Sequence, residues 1–352
     1  MSRLSLHLSI AAVLLAAMCA ADEPQAGAAA SATPAPFAAV VEEGTVPAEK
    51  ERYKAYPGTE AFLPPATGFD WKMMLTQQMP GYEVFLVSFP SPIKLQYPET
   101  NTVFAEYYRP VGKTGIPGVI VLHILGGDFE LSRILARHLA GRGIGAMFVY
   151  MSFYGSRRPK GVRARLISED VELTLAATRQ TITDIRRAAL WLSLRPEVDP
   201  RKIGVTGTSL GAFIGALAAG VEPRFRRCVF VLGGGHIAKV IWEGEETAKR
   251  RKRLEERGFT YKSLTERLRE VEPMTYAGNI DPRGVLMVNA RQDAVVPPWC
   301  TEALWEKMGK PQILWYNADH YTMIVNIFDV LVKVSDHFDV ARWGVEKEKK
   351  DG

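Results

Sequence analysis

The sequence predicts an α/β fold built on an eight-stranded, mostly parallel sheet with helices on both faces. Short apolar runs alternate with segments of helical periodicity, which is the pattern of successive βαβ units. The first two runs alternate apolar and polar residues, as half-buried antiparallel strands do, whereas the other six are continuously apolar, as strands covered on both faces are. The length of 352 residues and the 47% hydrophobic content suit one large or two ordinary globular domains.

The eight predicted strands occupy residues 82–87, 102–108, 118–122, 146–150, 203–206, 229–232, 285–288 and 313–316. Of the helical segments between them, the clearest has apolar residues at positions 182, 185, 188, 189 and 192 and ends before Pro196. Right-handed crossovers are expected to join the parallel strands. Residues 236–281 are too long for a plain crossover, so we predict a helical, cap-like insertion between the sixth and seventh strands.

The first 21 residues are typical of a secretory signal peptide. Arg3 gives a positive start, residues 6–18 are mostly apolar, and Cys19, Ala20 and Ala21 are small residues before an acidic pair. A transmembrane anchor is the alternative, but the apolar stretch is shorter than the ~20 residues that a span needs. We therefore expect a cleaved signal and a secreted or periplasmic protein.

Three further ranges complete the predicted organisation. Residues 22–41 are rich in Ala and Pro, which predicts a linker with too little to bury. The main domain is predicted over residues 42–340, and its N-terminal extension, residues 42–80, is expected to consist of loops and short helices. Residues 341–352 are predicted to be a charged tail.

Charge and cysteine content exclude several classes of protein. Lys plus Arg exceed Asp plus Glu by only 44 − 39 = 5, and the basic run 249–253 is flanked by glutamates, so we expect a solvated helix face and no nucleic-acid partner. No stretch after the first 21 residues is apolar enough for stable membrane insertion.

The cysteine content bears on metal binding. Three cysteines without a CxxC pair predict no structural zinc, and we expect no metal and no cofactor. Cys228 and Cys300 could pair after export, but two separate thiols are favoured. The oligomeric state is left open.

A pentapeptide of the form G-x-S-x-G occupies residues 207–211. It directly follows the predicted strand 203–206 and precedes the helix-like run 212–219, which is the strand–turn–helix setting of a nucleophile elbow. In such a turn the serine backbone is strained, and the flanking glycines avoid collisions with neighbouring strands. The alternative is a glycine-rich turn with an idle serine. The sequence predicts Ser209 as a nucleophile.

A nucleophilic serine needs a base, and the base needs an orienting acid. His320 follows the eighth strand, at the same sheet edge as Ser209, whereas His138 and His337 fall within predicted helices. Asp293 is the one carboxylate in the loop after the seventh strand; Asp319 competes, but its position beside His320 in sequence points its side chain elsewhere. The chain order Ser209, Asp293, His320 is the order found in hydrolases whose nucleophile lies on an elbow of this kind.

An oxyanion hole needs two backbone N–H groups. One is expected from Leu210, the residue after the nucleophile, and the other from the loop after the third strand, residues 123–128. The side chain of His123 is expected to brace this loop from within rather than to act as a base.

The insertion at residues 236–281 is attached at the same edge of the sheet as Ser209, so we expect the insertion to cover the site. Because residues 243–268 have few apolar side chains, we expect this part to move and its shortening to alter substrate preference more than stability.

From about residue 82 to residue 338 the chain resembles the α/β-hydrolase superfamily, and within it the dienelactone-hydrolase-like and acetylxylan-esterase-like members. The resemblance is carried by Tyr-Tyr-Arg-Pro at 107–110, His-Ile-Leu-Gly-Gly at 123–127, the pentapeptide at 207–211, Arg-Gln-Asp-Ala-Val-Val-Pro at 291–297 and Ala-Asp-His at 318–320. It implies Ser209, Asp293 and His320 as the triad, with Ile124 and Leu210 as oxyanion donors. Dienelactone hydrolases proper carry cysteine at the elbow, so the serine favours an ordinary esterase acting on a small-molecule or saccharide ester.

Two other functions are weighed against an esterase. A serine peptidase resembling the prolyl-oligopeptidase group is one, although the about 60 residues between the signal and the first strand leave no room for a propeller of such blades. A non-catalytic binding module on the same fold is the other, because a fold alone does not prove activity. Residues 154–158, which follow the fourth strand, add an open question: an arginine there binds either an acidic substrate group or a neighbouring carboxylate.

Overall fold

A computed structural model describes residues 41–48, 53–127, 129–162, 164–244 and 247–343 of the chain. The predicted signal peptide, almost all of the predicted linker and most of the predicted charged tail lie outside these ranges. The tail begins later than predicted, because Val340–Arg342 form a 3₁₀ helix and the indole N–H of Trp343 donates a hydrogen bond to the Phe338 carbonyl.

The described residues form one ten-stranded sheet, in the spatial order β1-β2-β3-β4-β6-β5-β7-β8-β9-β10. The strands are β1 Val41–Val46, β2 Phe69–Met79, β3 Tyr82–Pro90, β4 Thr102–Pro110, β5 Ile116–Leu122, β6 Gly145–Val149, β7 Val198–Thr208, β8 Phe225–Val231, β9 Val285–Ala290 and β10 Gln312–Tyr316. Pairing is antiparallel from β1 through β4 to β6 and parallel from β6 to β10. The eight predicted strands, β3 to β10, are confirmed.

The prediction that residues 42–80 form loops and short helices is wrong, as is the total of eight strands. This segment supplies β1 and β2, which extend the antiparallel end of the sheet. In β2 every second side chain, Phe69, Trp71, Met73 and Leu75, packs on the core, and this period of two is the signal of a half-buried strand. Val41 opens β1, so the predicted linker also ends one residue earlier.

Helices cover both faces of the sheet, as predicted. They are α1 Glu130–Gly141, α2 Val171–Ser193, α3 Leu210–Val221, α4 Ile237–Glu243, α5 Ala248–Glu256, α6 Tyr261–Leu268, α7 Pro273–Tyr276, α8 Pro298–Lys307 and α9 Ile327–His337. Buried residues of α1 and α9 share one apolar cluster, and those of α2 and α3 share the cluster on the opposite face. The helix predicted to end before Pro196 is α2, which begins where the Asp170 side chain accepts the backbone N–H of Leu173.

The insertion between β8 and β9 is helical, as predicted, but it packs firmly on the domain. Leu254, Leu264 and Leu268 are buried in the main core cluster. Ion pairs also join it to α2, from Arg267 to Glu172 and from Arg179 to Glu270. These three buried leucines anchor the segment although its other residues are mostly polar, so shortening it is expected to cost stability as well as to alter substrate preference.

Cys228 and Cys300 are both buried and unpaired, so the two separate thiols favoured from the sequence are what the structure contains. Burial raises the pKa of both thiols. Within the described ranges, no helix has the length and apolarity that crossing a membrane requires.

The free energy of unfolding is expected to depend on pH through His337, at the end of α9. Burial lowers the pKa of His337 to about 4 from 6.5, and its Nε2 lies 2.9 Å from the Gly284 carbonyl. Between pH 6.5 and pH 4, His337 is protonated in the unfolded chain and remains neutral in the folded chain. The free energy of unfolding should therefore fall as the pH drops from 6.5 to 4, by as much as about 3 kcal/mol from this group.

Urea unfolding of His337→Gln tests this, since glutamine can keep the hydrogen bond to Gly284 without titrating. The variant should match the wild type at pH 8 and lose less stability at pH 5. An equal loss in both proteins would rule out this role for His337.

Candidate active site

Ser209 lies at the junction of β7 and α3, in a strained backbone conformation that non-glycine residues rarely adopt. Its φ and ψ angles are 52° and −116°, and its N–H donates to the carbonyl of Val231 at the end of β8, at 2.9 Å. A Cβ on Gly211 would lie 2.5 Å from the Leu122 carbonyl oxygen, and one on Gly207 would collide with Gly211. Both glycines are therefore needed for the turn that holds Ser209 at the sheet edge.

The three predicted triad residues form a hydrogen-bonded chain. His320 Nε2 lies 3.1 Å from Ser209 Oγ, and His320 Nδ1 lies 2.7 Å from Asp293 Oδ2. Asp293 is 4% exposed, and its other oxygen accepts the N–H groups of Val295 and Val296 at 2.9 and 2.7 Å. The carboxylate is thus fixed from both sides, which orients the imidazole towards the serine.

Adjacent parallel strands bring the acid and the base together. The ladder between β9 and β10 continues past both strands, since the N–H of Arg291 donates to Tyr316 O and that of Gln292 to Ala318 O. Asp293 is one residue past this ladder and His320 is two residues past it, so the two side chains meet at the carboxyl end of the sheet.

Asp319, the competing acid, has a different role. Its Oδ1 accepts the N–H groups of Tyr321 and Thr322, at 2.9 and 2.7 Å. The hydrogen bond from the backbone of Thr322 is the main cause that lowers the pKa of Asp319. The carboxylate caps the turn after His320, while the imidazole bonds to Asp293.

The predicted oxyanion donors lie on the two segments that meet at Gly211. Leu210 is the first residue of α3, where backbone N–H groups lack partners within the helix. Ile124 follows β5 and is buried, and within the described ranges its N–H makes no hydrogen bond. Because Gly211 has no side chain, the start of α3 can approach the Leu122 and His123 carbonyls at the end of β5. Both N–H groups are therefore available to a developing oxyanion.

His123 is fully buried beneath this loop. The N–H of Met151 donates to its Nε2 at 3.2 Å, so Nδ1 carries the proton and donates to the Ile124 carbonyl at 2.8 Å. Burial lowers the pKa of His123 to about 4, which keeps the ring neutral. These contacts brace the loop and do not involve Ser209.

Tyr154, in the segment after β6, supports the loop from the other side. Its ring centroid lies 4.5 Å from that of His123, and a Cβ on Gly127 would lie 3.6 Å from the edge of the Tyr154 ring. Arg157, three residues later, is buried and pairs with Asp184 at 2.6 Å, so this arginine binds a neighbouring carboxylate. The sequence identified this segment but not the contact of Tyr154 with the loop, because nothing in the local pattern predicts it.

Among the residues that the structure describes, no three His, Cys, Asp or Glu side chains are grouped so that they could hold a metal ion.

Two family models match overlapping parts of the chain. Residues 98–244 match the model described as alpha/beta hydrolase domain containing 18, which includes the elbow. Residues 172–325 match the prolyl oligopeptidase family model, which spans Ser209, Asp293 and His320.

An uncharacterized protein of Mycobacterium tuberculosis is 29% identical over 167 residues, which cover 47% of this chain and 38% of the relative. The match thus spans well under half of the relative's length. Among solved structures, an acetyl xylan esterase from Paenibacillus sp. R4 has a TM-score of 0.60 at 19% identity, over 76% of this chain and 88% of that one. The acylaminoacyl peptidase of Pyrococcus horikoshii has a TM-score of 0.57 at 16% identity, over 81% of this chain and 48% of the peptidase.

Proposed function

We propose that this protein, which has the α/β-hydrolase fold, is a serine hydrolase that cleaves carboxylic esters through an acyl-serine intermediate. The observation that carries the proposal is the hydrogen-bonded chain from Ser209 through His320 to Asp293. The strained backbone at Ser209 supports it, because such strain persists mainly where function requires it.

In the first half of the proposed reaction, Ser209 Oγ attacks the ester carbonyl carbon while His320 Nε2 takes the hydroxyl proton. The carbonyl oxygen becomes an oxyanion, which the backbone N–H groups of Leu210 and Ile124 stabilise. Asp293 keeps the proton on Nδ1 and stabilises the imidazolium. The C–O bond to the alcohol then breaks, and His320 passes its proton to the departing alkoxide.

In the second half, water replaces the alcohol. His320 takes a proton from water as its oxygen attacks the acyl-serine, and the same two N–H groups stabilise the second oxyanion. Collapse returns the proton from His320 to Ser209 Oγ and releases the acid. The net reaction is hydrolysis of one ester bond, and no cofactor is required.

A serine peptidase is the second candidate. The match of residues 172–325 to the prolyl oligopeptidase family supports it, and the same steps cleave an amide when an amine is the leaving group. Esters remain the first choice because the chain resembles acetyl xylan esterases over a larger share of their length, 88%, than of the peptidase, 48%.

A substrate screen tests the proposal and separates these candidates. Purified protein is assayed with p-nitrophenyl esters of increasing acyl length, with acetylated sugars and with aminoacyl anilides, each beside Ser209→Ala. We expect hydrolysis of short-chain or sugar esters that the variant lacks. Activity on anilides alone would favour the peptidase, and turnover by both proteins would refute catalysis at Ser209.

We also propose that the protein is exported. The proposal rests on the sequence of residues 1–21, with its positive start, apolar core and small residues before Asp22. Mass spectrometry of protein from the extracytoplasmic fraction should show a mature N-terminus at or near Asp22. An intact Met1 on that protein would contradict cleavage.

A further inference from the structure

The charges of three arginines act on Tyr154, the residue whose ring packs on His123 in the oxyanion loop. The guanidinium groups of Arg165, Arg250 and Arg158 lie close enough to the Tyr154 hydroxyl to oppose, through their charge, the burial that raises its pKa to about 12. The Tyr154 ring lies against this loop, with its centroid 4.5 Å from that of His123 and its edge 3.6 Å from where a Cβ on Gly127 would lie. The three charges, which we call the arginine cluster, therefore lie beside the loop on which the ester carbonyl is expected to bind.

Arg250 comes from the insertion, and its direction follows from its helix. It lies one turn before Leu254 on α5, so the two side chains share a face. Leu254 is buried in the main core, and Arg253 pairs with Glu169 in the segment before α2, which fixes the helix against the domain. Arg250 is therefore directed inwards and is half-buried, whereas Lys252 on the same helix is exposed.

The charge of Arg250 is not neutralised by the described residues. Glu169 is the carboxylate whose charge acts on Arg250. However, the Glu169 side chain is hydrogen-bonded to Arg253, and this bond is the main cause that lowers the pKa of Glu169. Among the described residues Arg250 has no hydrogen-bond or ion-pair partner. Burial lowers the pKa of Arg250, and the nearby charges of Arg165 and Arg253 act in the same direction. A partly buried charge without a partner is costly, and an anion at this place would offset that cost.

We propose that the arginine cluster binds an anionic group of the substrate, so that the preferred ester carries a carboxylate beside the scissile bond. Arg250 is the principal contact, because it is the least hydrated of the three, and Arg158 and Arg165 add a more screened attraction at the exposed rim. This inference rests on the proposed function and names its substrate class. It also gives the insertion a role, since α5 supplies the charge.

Matched ester pairs test the inference, and each pair differs only in charge. On the acyl side, mono-4-nitrophenyl succinate is compared with its methyl ester; on the alcohol side, 4-acetoxybenzoate is compared with methyl 4-acetoxybenzoate. We expect a higher kcat/KM for the anionic member of one pair, and the arm that responds tells which side of the ester meets Arg250. The preference should decrease as ionic strength rises.

Arg250→Gln should lower kcat/KM for the preferred anionic ester by about tenfold or more, as expected for loss of a hydrogen bond to a charged group, and leave the neutral ester within about twofold. Lys252→Gln is the matched control, because it removes the same charge from the exposed side of the same helix. It should leave the ratio of the two esters unchanged.

A binding measurement separates failure of this inference from failure of the proposed function. Succinate is titrated by calorimetry into Ser209→Ala and into the same variant carrying Arg250→Gln. Succinate should bind the first protein and bind the second about tenfold more weakly, whether or not any ester is turned over. Neutral esters preferred in both pairs, or equal succinate affinity in the two proteins, would overturn the inference.

Discussion

Ser209→Ala is expected to reduce kcat for ester hydrolysis by about 10⁶-fold, the cost of removing the nucleophile of such a triad. The change removes the oxygen 3.1 Å from His320 Nε2 and leaves no group there that can form an acyl intermediate. Initial rates measured with the best p-nitrophenyl ester of the screen, at high enzyme concentration, give the comparison.

The same variant must remain folded for the result to be decisive. Alanine and serine are similarly strained at the positive φ of the elbow, and the hydroxyl is removed from a half-buried position. The thermal midpoint of unfolding should therefore shift little. A folded Ser209→Ala protein that keeps more than about a hundredth of the wild-type rate would contradict nucleophilic catalysis by this serine, because ordinary triads lose far more.

Asp293→Asn is expected to lower kcat by about 10⁴-fold. The amide presents an N–H where the carboxylate presents an oxygen, so His320 bonds in the wrong tautomer and its protonated form loses the neighbouring negative charge. At ~1.36 kcal/mol per tenfold change, this loss raises the barrier by about 5.4 kcal/mol. Steady-state kinetics should show the loss mainly in kcat.

Asp319→Asn is the matched control, with the same isosteric change one residue from His320. Its carboxylate bonds to the backbone of Tyr321 and Thr322, so the variant should lose some stability of this turn and keep most of its activity. If Asp319→Asn abolished hydrolysis while Asp293→Asn left it near the wild-type rate, the roles given to these two acids would be wrong.

The strands that position the site could be predicted from the sequence because each is a short apolar run bounded by turn residues. The runs that became β7, β9 and β10 place the elbow and the two following loops at one sheet edge, and parallel topology then brings Ser209, Asp293 and His320 together. Local pattern and global topology agree here, and this is where sequence reasoning is most reliable.

The N-terminal strands were not predicted because β1 carries little apolar signal of its own. It is an edge strand with the sequence Val-Glu-Glu-Gly-Thr-Val, and it forms by pairing with β2. The period of two in β2 was present but interrupted by polar residues near its end, and prolines earlier in the segment favoured loops.

The environment of Tyr154 and Arg250 could not be predicted for a different reason. The two residues are far apart in sequence, and the charge of Arg250 acts on Tyr154 only because α5 packs back on the domain through Leu254 and the pair of Arg253 with Glu169. A basic run gives no sign of which of its members faces inwards. That depends on tertiary contacts, and in the sequence Arg250 looked like any other solvated charge.

Trapping the acyl-enzyme tests the central claim most directly. Wild-type protein mixed with p-nitrophenyl acetate is quenched in acid before the first turnover is complete, digested, and analysed by peptide mass spectrometry. We predict an acetyl group on the peptide that contains Ser209, assigned to Ser209 by fragmentation, and none in Ser209→Ala treated in the same way. An acetyl group on another residue that disappears during turnover, with Ser209 unmodified throughout, would contradict an acyl-serine at this elbow.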